Sequence, residues 1–109
     1  MVSIDDLSKL DIRVGRVIEV EEIVGARSPV FRLVVYFGEE LGKKEIVAGI
    51  KASYTKEMLL DKQVVGVVNL EPKKIANVTS YGMLLAVGDS TNISLLTTDK
   101  NVVDGLKVR

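Results

Sequence analysis

The sequence has no cysteine, no histidine and no tryptophan among its 109 residues. The absence of cysteine excludes disulfides and thiol nucleophiles, and without cysteine and histidine there is no zinc site of the usual ligands. The absence of histidine removes the base that most often activates a serine at neutral pH. Adjacent acidic pairs, such as Glu21-Glu22, point to opposite faces of a strand and are poorly placed to share a metal ion or a proton. We therefore expect neither an enzyme nor a metal or cofactor site.

Long apolar runs are also missing. No run approaches the ~20 residues that a membrane-spanning helix needs. The first residues, MVSIDDLSKLDIRVG, contain two early acids and no apolar segment of the kind found in a signal peptide. We therefore expect no membrane attachment, and the lack of cysteine is compatible with a reducing cytoplasm.

The chain has no excess of either charge, since 15 basic residues balance 15 acidic ones. The charges are nevertheless segregated along the sequence. Residues 1–22 carry a net charge of −3, whereas residues 23–76 hold nine basic against six acidic residues, a net charge of +3. A neutral protein with this distribution can still present a local basic face.

What the sequence does contain is short runs of Val, Ile and Leu, which are typical of β-strands. In the first run, Ile12, Val14, Ile18 and Val20 are predicted to face inward, with Gly15 marking a bulge or bend. The second run is predicted to bury one face, made of Phe31, Leu33, Val35 and Phe37. A third strand over residues 45–50, an almost wholly apolar fourth over 63–70 and a fifth over 82–87 complete the set.

Two sequence signals predict short helices, one before the first strand and one between strands three and four. Ser3 followed by two acids predicts a short N-terminal helix, and Thr55 predicts a capped helical turn between strands three and four. We expect residues 1–109 to form a single all-β domain: a five-stranded OB-fold barrel with a C-terminal strand extension over 101–108. A β-sandwich is the alternative.

The stretch NLEPKKIANVTSYGMLLAV, residues 69–87, is the least ordinary part of the chain. Lys73 and Lys74 are adjacent, and no acid follows Glu71 in this stretch. A plain hairpin would need only two turn residues, so the pattern indicates a longer basic loop. We expect such a loop to contact a partner.

Three segments, LDIRVGRV, VVNLEPKKI and SYGMLLAV, together resemble the tRNA-binding domain family. Its members include the C-terminal part of many methionyl-tRNA synthetases and small stand-alone tRNA-binding proteins. ARSPVFRLVVYFGEELGKK, KQVVGVVN and NVVDGLKV look most like the CsaA-type branch, described as export-related chaperones. Asn77 stands where the family often has glycine, and asparagine tolerates the left-handed backbone that glycine would supply.

The resemblance implies an OB-fold homodimer that recognises tRNA by shape and reads no base sequence. It implies dimerisation through the N-terminal helix and the C-terminal extension. The helix stripe of Ile4, Leu7 and Leu10 could equally pack within one chain. The side chains implied to contact RNA are Asn69, Lys73, Lys74, Ser80, Tyr81 and Met83. Lesser candidates are Arg16, Arg32, Lys51 and Tyr54.

Each of these assignments has a structural alternative. The lysines could be a solvated loop, Met83 a core residue, Asn69 a strand-end cap and Arg16 part of an ion pair. The function has alternatives as well. The chain could be a tRNA-binding module, acting alone or beside a methionyl-tRNA synthetase. It could also be a CsaA-type chaperone of unfolded or export-destined polypeptides, or a purely structural assembly domain.

Overall fold

The computed structural model describes residues 1–89 and 91–109. Its main feature is one antiparallel sheet of five strands, in the order β3-β2-β1-β4-β7. These strands are β1 (Ile12–Glu22), β2 (Phe31–Tyr36), β3 (Lys43–Ala48), β4 (Gln63–Val67) and β7 (Met83–Leu84). Two hairpins accompany it: β5 (Lys73–Ile75) with β6 (Val78–Ser80), and β8 (Ala86–Gly88) with β9 (Ile93–Leu95).

The sheet curls until its two outer strands, β3 and β7, approach each other. The residues just before β7 bridge the gap: the Tyr81 N–H donates to the Glu45 carbonyl at 2.8 Å, and the Val47 N–H donates to Ser80 Oγ at 3.0 Å. The result is a nearly closed, five-stranded OB-like barrel. The predicted all-β fold class is therefore confirmed.

The barrel interior is filled as the period-two pattern predicted on β2. Phe31, Leu33, Val35 and Phe37 are all buried, and the buried cluster continues into the other strands and a neighbouring helix through Ile46, Leu59, Val64 and Leu84. Strand β4 is buried on both faces, as its apolar sequence indicated.

The prediction for β1 is wrong at two positions. Ile12 is only partly buried and lies outside the buried core cluster. The pairing of β1 with β2 shifts register between Val17 and Glu19, so Val17 is fully buried and Ile18 is partly exposed. The irregularity lies beyond Gly15. Gly15 serves a different purpose, because a Cβ atom there would lie 2.6 Å from Val35 Cγ1 and 2.7 Å from the Phe37 ring. Glycine lets β1 pack directly against the core.

Three helices of four residues complete the described elements. Helix α1 (Ile4–Leu7) begins after Ser3, whose Oγ accepts from the Asp6 N–H, and α3 (Lys56–Leu59) begins after Thr55, whose Oγ1 accepts from the Met58 N–H. Both predicted caps are confirmed. Helix α2 (Gly38–Leu41) lies in the connection between β2 and β3. No helix within the described ranges has the length and apolar character that crossing a membrane requires.

The C-terminal segment runs beside β1 but is mostly irregular. The Gly105 N–H donates to the Val14 carbonyl at 2.7 Å, and Arg13 and Lys107 form an isolated bridge. The buried Gln63 side chain holds the same segment by donating to the Val102 carbonyl and to Asp104 Oδ1. The predicted extension is thus present as a segment docked on β1, with one bridge in place of a regular strand.

We predict that Gly15→Ala lowers the free energy of unfolding by about 1–3 kcal/mol, since the new methyl group overpacks the core. Urea denaturation measures the change. Gly49→Ala is the matched control, because Gly49 is exposed and a Cβ there meets nothing within 4 Å. Equal stabilities of the two variants would contradict the packing role of Gly15.

Candidate nucleic-acid interface

The segment predicted as a long basic loop is a tight hairpin. Strand β5 pairs with β6, and the two residues between them, Ala76 and Asn77, have φ angles of +51° and +66°. A two-residue turn with both positions left-handed suits the twist of a β-hairpin. The prediction of a longer loop is therefore wrong, whereas the left-handed backbone expected at Asn77 is confirmed.

The hairpin places its two lysines on opposite faces. Lys73 is opposite Ser80 and Lys74 is opposite Thr79, and successive residues of a strand point to opposite sides. Lys73 therefore shares a face with Ile75, and Lys74 lies on the other face. Both lysines are exposed, and neither forms a salt bridge within the described part of the chain. The pair acts as two separate point charges.

A groove of about 480 Å³ lies between the hairpin and the barrel. Its walls are mainly apolar, and Lys73 and Glu71 supply its charged groups. The remaining lining residues are Val47, Leu70, Ile75, Ser80, Gly82 and Met83. The groove joins a cationic side chain to an apolar surface that solvent can reach.

Tyr81 and Met83 follow the hairpin and remain exposed, with relative accessibilities of 44% and 50%. The backbone around them is fixed by the Tyr81–Glu45 hydrogen bond described above. Gly82 is required between them, since a Cβ there would lie 2.9 Å from the Val67 carbonyl oxygen. Met83 thus lines the groove, whereas the alternative of a core residue does not match its exposure.

Ser80 and Asn69 already use their polar side-chain atoms inside the chain. Ser80 Oγ accepts from Val47 and donates to the Gly82 carbonyl at 3.0 Å, and the residue is buried. Asn69 Oδ1 accepts from the Asp11 N–H and its Nδ2 donates to the Lys9 carbonyl, both at 2.8 Å. Asn69 therefore links the end of the N-terminal segment to β4, and Ser80 links the hairpin to β3.

Arg32 does not line the groove but is next to a lining residue, because its Cα is paired with that of Val47. Its guanidinium contacts Glu45 at 2.8 Å and Glu21 at 3.4 Å. The hydrogen bond to Glu45 is the largest of the effects that raise the pKa of Arg32. This cation is already largely neutralised by its neighbours.

The other three lesser candidates are engaged elsewhere, and none of them lines the groove. Arg16 contacts Asp104 at 3.2 Å and donates to the Asp61 carbonyl at 2.9 Å. Lys51 pairs with Glu22 and lowers the pKa of that carboxyl through a hydrogen bond. The Tyr54 hydroxyl accepts from the Leu95 N–H at 2.9 Å, which ties β9 to the barrel.

Sequence reasoning missed the apolar part of the groove, namely Val47, Leu70 and Ile75. Leu70 and Ile75 flank the Glu-Pro-Lys-Lys sequence, and these two apolar residues close to an exposed basic pair were the available signal. Val47 gave none, because its position beside the hairpin depends on closure of the barrel.

A second apolar surface lies on α1. The stripe is exposed, at 78% for Ile4, 55% for Leu7 and 40% for Leu10, so it does not pack into the barrel. Together with Ile12 and Val108 it lines a groove of about 400 Å³ between α1 and the C-terminal segment. Contiguous exposed apolar surface of this kind is typical of an interaction site.

These features define a small OB-like barrel that presents a basic hairpin beside an apolar groove. Within the described residues no group of three or more acidic side chains is placed to hold a metal ion. The sequence matches the tRNA binding domain family over residues 12–107, and the chain belongs to this family. The resemblance recognised in the sequence is therefore confirmed.

Similar proteins fall into two groups. Methionine–tRNA ligase of Pyrococcus horikoshii is 46% identical over 108 residues, which are 99% of this chain but 14% of that enzyme. The chain thus spans about one seventh of such relatives. Among solved structures, the CsaA chaperone protein of Picrophilus torridus superposes with a TM-score of 0.92 and 38% identity, covering all of both chains. A MetRS-related protein from Pyrococcus horikoshii superposes with a TM-score of 0.88 and 31% sequence identity, covering 100% of this chain and 98% of that one.

We predict that Ser80→Ala lowers the free energy of unfolding by about 1–3 kcal/mol, because the buried Val47 N–H loses its acceptor. Urea denaturation again measures the change. Ser94→Ala makes the same chemical change on an exposed strand position, and we expect less than about 0.5 kcal/mol there. If Ser80→Ala is as stable as this control, the hydrogen bond does not hold the barrel closed.

Proposed function

We propose that this chain is a non-enzymatic tRNA-binding protein that recognises the shape and backbone of tRNA. The observation that carries the proposal is the hairpin of a tRNA-binding family member, with two exposed lysines that form no salt bridge among the described residues. Lysines in this state meet phosphates as point charges without first breaking an ion pair. The contact fixes position on the RNA and reads no sequence.

The remaining candidate residues divide by their existing bonds. Tyr81 and Met83 are exposed beside the hairpin and can pack on ribose or on an unpaired base. Arg32 borders the same region and can exchange part of its contact with Glu21 for a phosphate. The other five candidates already form bonds within the chain, and these bonds support an indirect role in which the residues hold the binding surface in place. They are Asn69, Ser80, Arg16, Lys51 and Tyr54.

We further propose a homodimer formed through the apolar stripe of α1 and the C-terminal segment. A twofold axis would cover the exposed Ile4, Leu7 and Leu10 with the same surface of a second copy. It would also double the number of basic hairpins. Two hairpins held at a fixed distance suit a partner of defined shape, such as tRNA, better than a flexible strand.

The methionine–tRNA ligase relatives support one partner in particular. There the similar segment is a small part of a chain about seven times as long, whereas the structural neighbours superpose over whole short chains. We propose that this chain assists a methionyl-tRNA synthetase by supplying tRNA affinity. Such a role would be carried out in the cytoplasm, where tRNA is charged, by a single domain comprising residues 1–109.

The second candidate function is that of a chaperone for unfolded or export-destined polypeptides. The observation that favours it is the likeness to solved CsaA chaperone proteins along the full chain. The open apolar groove beside the hairpin would then accept an apolar side chain of the polypeptide. Suppression of the aggregation of a denatured protein, undiminished by excess tRNA, would favour this function over the first.

We predict that the double variant Lys73→Glu, Lys74→Glu lowers tRNA affinity by about tenfold or more. The plot of the logarithm of the tRNA association constant against the logarithm of the salt concentration has a negative slope. This slope should become less steep by about two per protomer, since each lysine neutralises one phosphate. Fluorescence anisotropy of labelled tRNA across a salt series measures both quantities.

The control for this prediction is Lys62→Glu, Lys100→Glu, which changes the net charge equally. Neither of these lysines forms a salt bridge within the described ranges, and neither lines the groove beside the hairpin. We expect the control to bind tRNA with an affinity within about twofold of that of the parent protein, because only the general effect of its changed net charge remains. Equal losses in both double variants would mean that the hairpin is not the binding site.

We predict that Leu7→Asp converts the dimer into a monomer, because a charge placed at the centre of the stripe would be buried without a partner. Analytical ultracentrifugation over a concentration series measures the mass. Val24→Asp is the control, since Val24 is a fully exposed apolar residue away from α1 and the C-terminal segment. A parent protein that is monomeric throughout the series would overturn the dimer.

A further inference from the structure

We infer that the groove beside the hairpin holds one unpaired nucleobase, with the attached phosphate on Lys73. This inference rests on the proposed tRNA-binding function and assigns a ligand class to a part of the surface. It differs from backbone recognition alone, because a fully paired helix offers no base to fill the groove.

The composition of the groove supports this occupant. Val47, Leu70, Ile75 and Met83 are the apolar residues that line it, and Lys73 and Glu71 are its charged lining residues. A ligand that is apolar and flat at one end and anionic at the other matches both features. A nucleotide has this character, since every base has an apolar face and every link carries a phosphate.

The volume fits as well. At about 480 Å³ the groove lies within the range of about 300–1,000 Å³ that small-ligand sites occupy. A base with its ribose is a ligand of this class. Glu71, the acidic residue of the lining, provides a carboxylate that can accept from the exocyclic amino group of a base or from a ribose hydroxyl.

The two lysines then take different parts. Because Lys73 faces the groove and Lys74 lies on the opposite face of β5, one nucleotide can be held by Lys73 while Lys74 meets a different phosphate. The two lysines of the hairpin outnumber the single carboxylate of Glu71, and this balance favours a polyanion over an apolar polypeptide here. Unpaired bases of this kind occur in the loops of a folded RNA.

Met83→Ala tests the inference, because it removes one apolar wall of the groove and leaves both lysines in place. Met58→Ala is the matched control: the two methionines have similar exposure, 50% and 54%, and Met58 is on α3, away from the groove. The probes are tRNA and an RNA duplex of similar length without unpaired bases. Urea denaturation of both variants establishes that each is folded.

We expect Met83→Ala to weaken tRNA binding by about tenfold, because the base would lose the apolar surface that it buries against this side chain. The salt slope and the duplex affinity should not change, and Met58→Ala should bind as the parent does. Equal tRNA affinity in the two methionine variants would overturn the inference, and so would an equal loss on the duplex. A denatured polypeptide that displaces tRNA from the parent protein but not from Met83→Ala would also overturn it, since the groove would then be a peptide site.

The two levels of the proposal fail in distinguishable ways. If the parent protein binds tRNA and depends on Lys73 and Lys74, but Met83→Ala has no effect, the groove assignment falls and the proposed function stands. If the parent protein does not bind tRNA at all, both fall.

Discussion

The closure of the barrel between β3 and the residues just before β7 is the contact on which the rest of the surface depends. Two hydrogen bonds make it, from Tyr81 to Glu45 and from Val47 to Ser80. Closure brings the hairpin of β5 and β6 against β3 and leaves Met83 facing outward beside it. The groove exists because the hairpin is attached at this point.

Two ion pairs of the barrel join the acidic first part of the sequence to its basic middle part. The acidic end of β1 lies beside basic residues of neighbouring segments, so that Glu21 contacts Arg32 and Glu22 contacts Lys51. Arg16, a basic residue of the acidic segment, is paired in the opposite sense with Asp61 and Asp104. These cations are neutralised where they stand, whereas the hairpin lysines form no salt bridge in the described part of the chain. A protein with zero net charge can in this way present a small positive surface.

Apart from the barrel fold and the family resemblance, the features that the sequence predicted correctly are local ones. Alternation along β2 identified its buried face, and Thr55 alone indicated the start of α3, because a cap depends on residues only a few positions away. The register shift between Val17 and Glu19, which turns Ile18 away from the core, was not predictable, since a bulge depends on pairing with another strand. Ser80 was assigned to RNA contact, yet its hydroxyl bonds to Val47, 33 residues earlier in the chain. No pattern within residues 69–83 reports such a partner.

The measurement that tests the account most directly is the anisotropy of labelled tRNA with the purified protein at low and physiological salt. A single-stranded RNA and an RNA duplex of matched length are measured beside it. The account predicts a preference for tRNA over both, with affinity that weakens as salt rises because phosphate contacts release counterions. Equal binding to all three RNAs, or binding to none, would contradict shape-based recognition and leave the hairpin lysines as ordinary solvated residues.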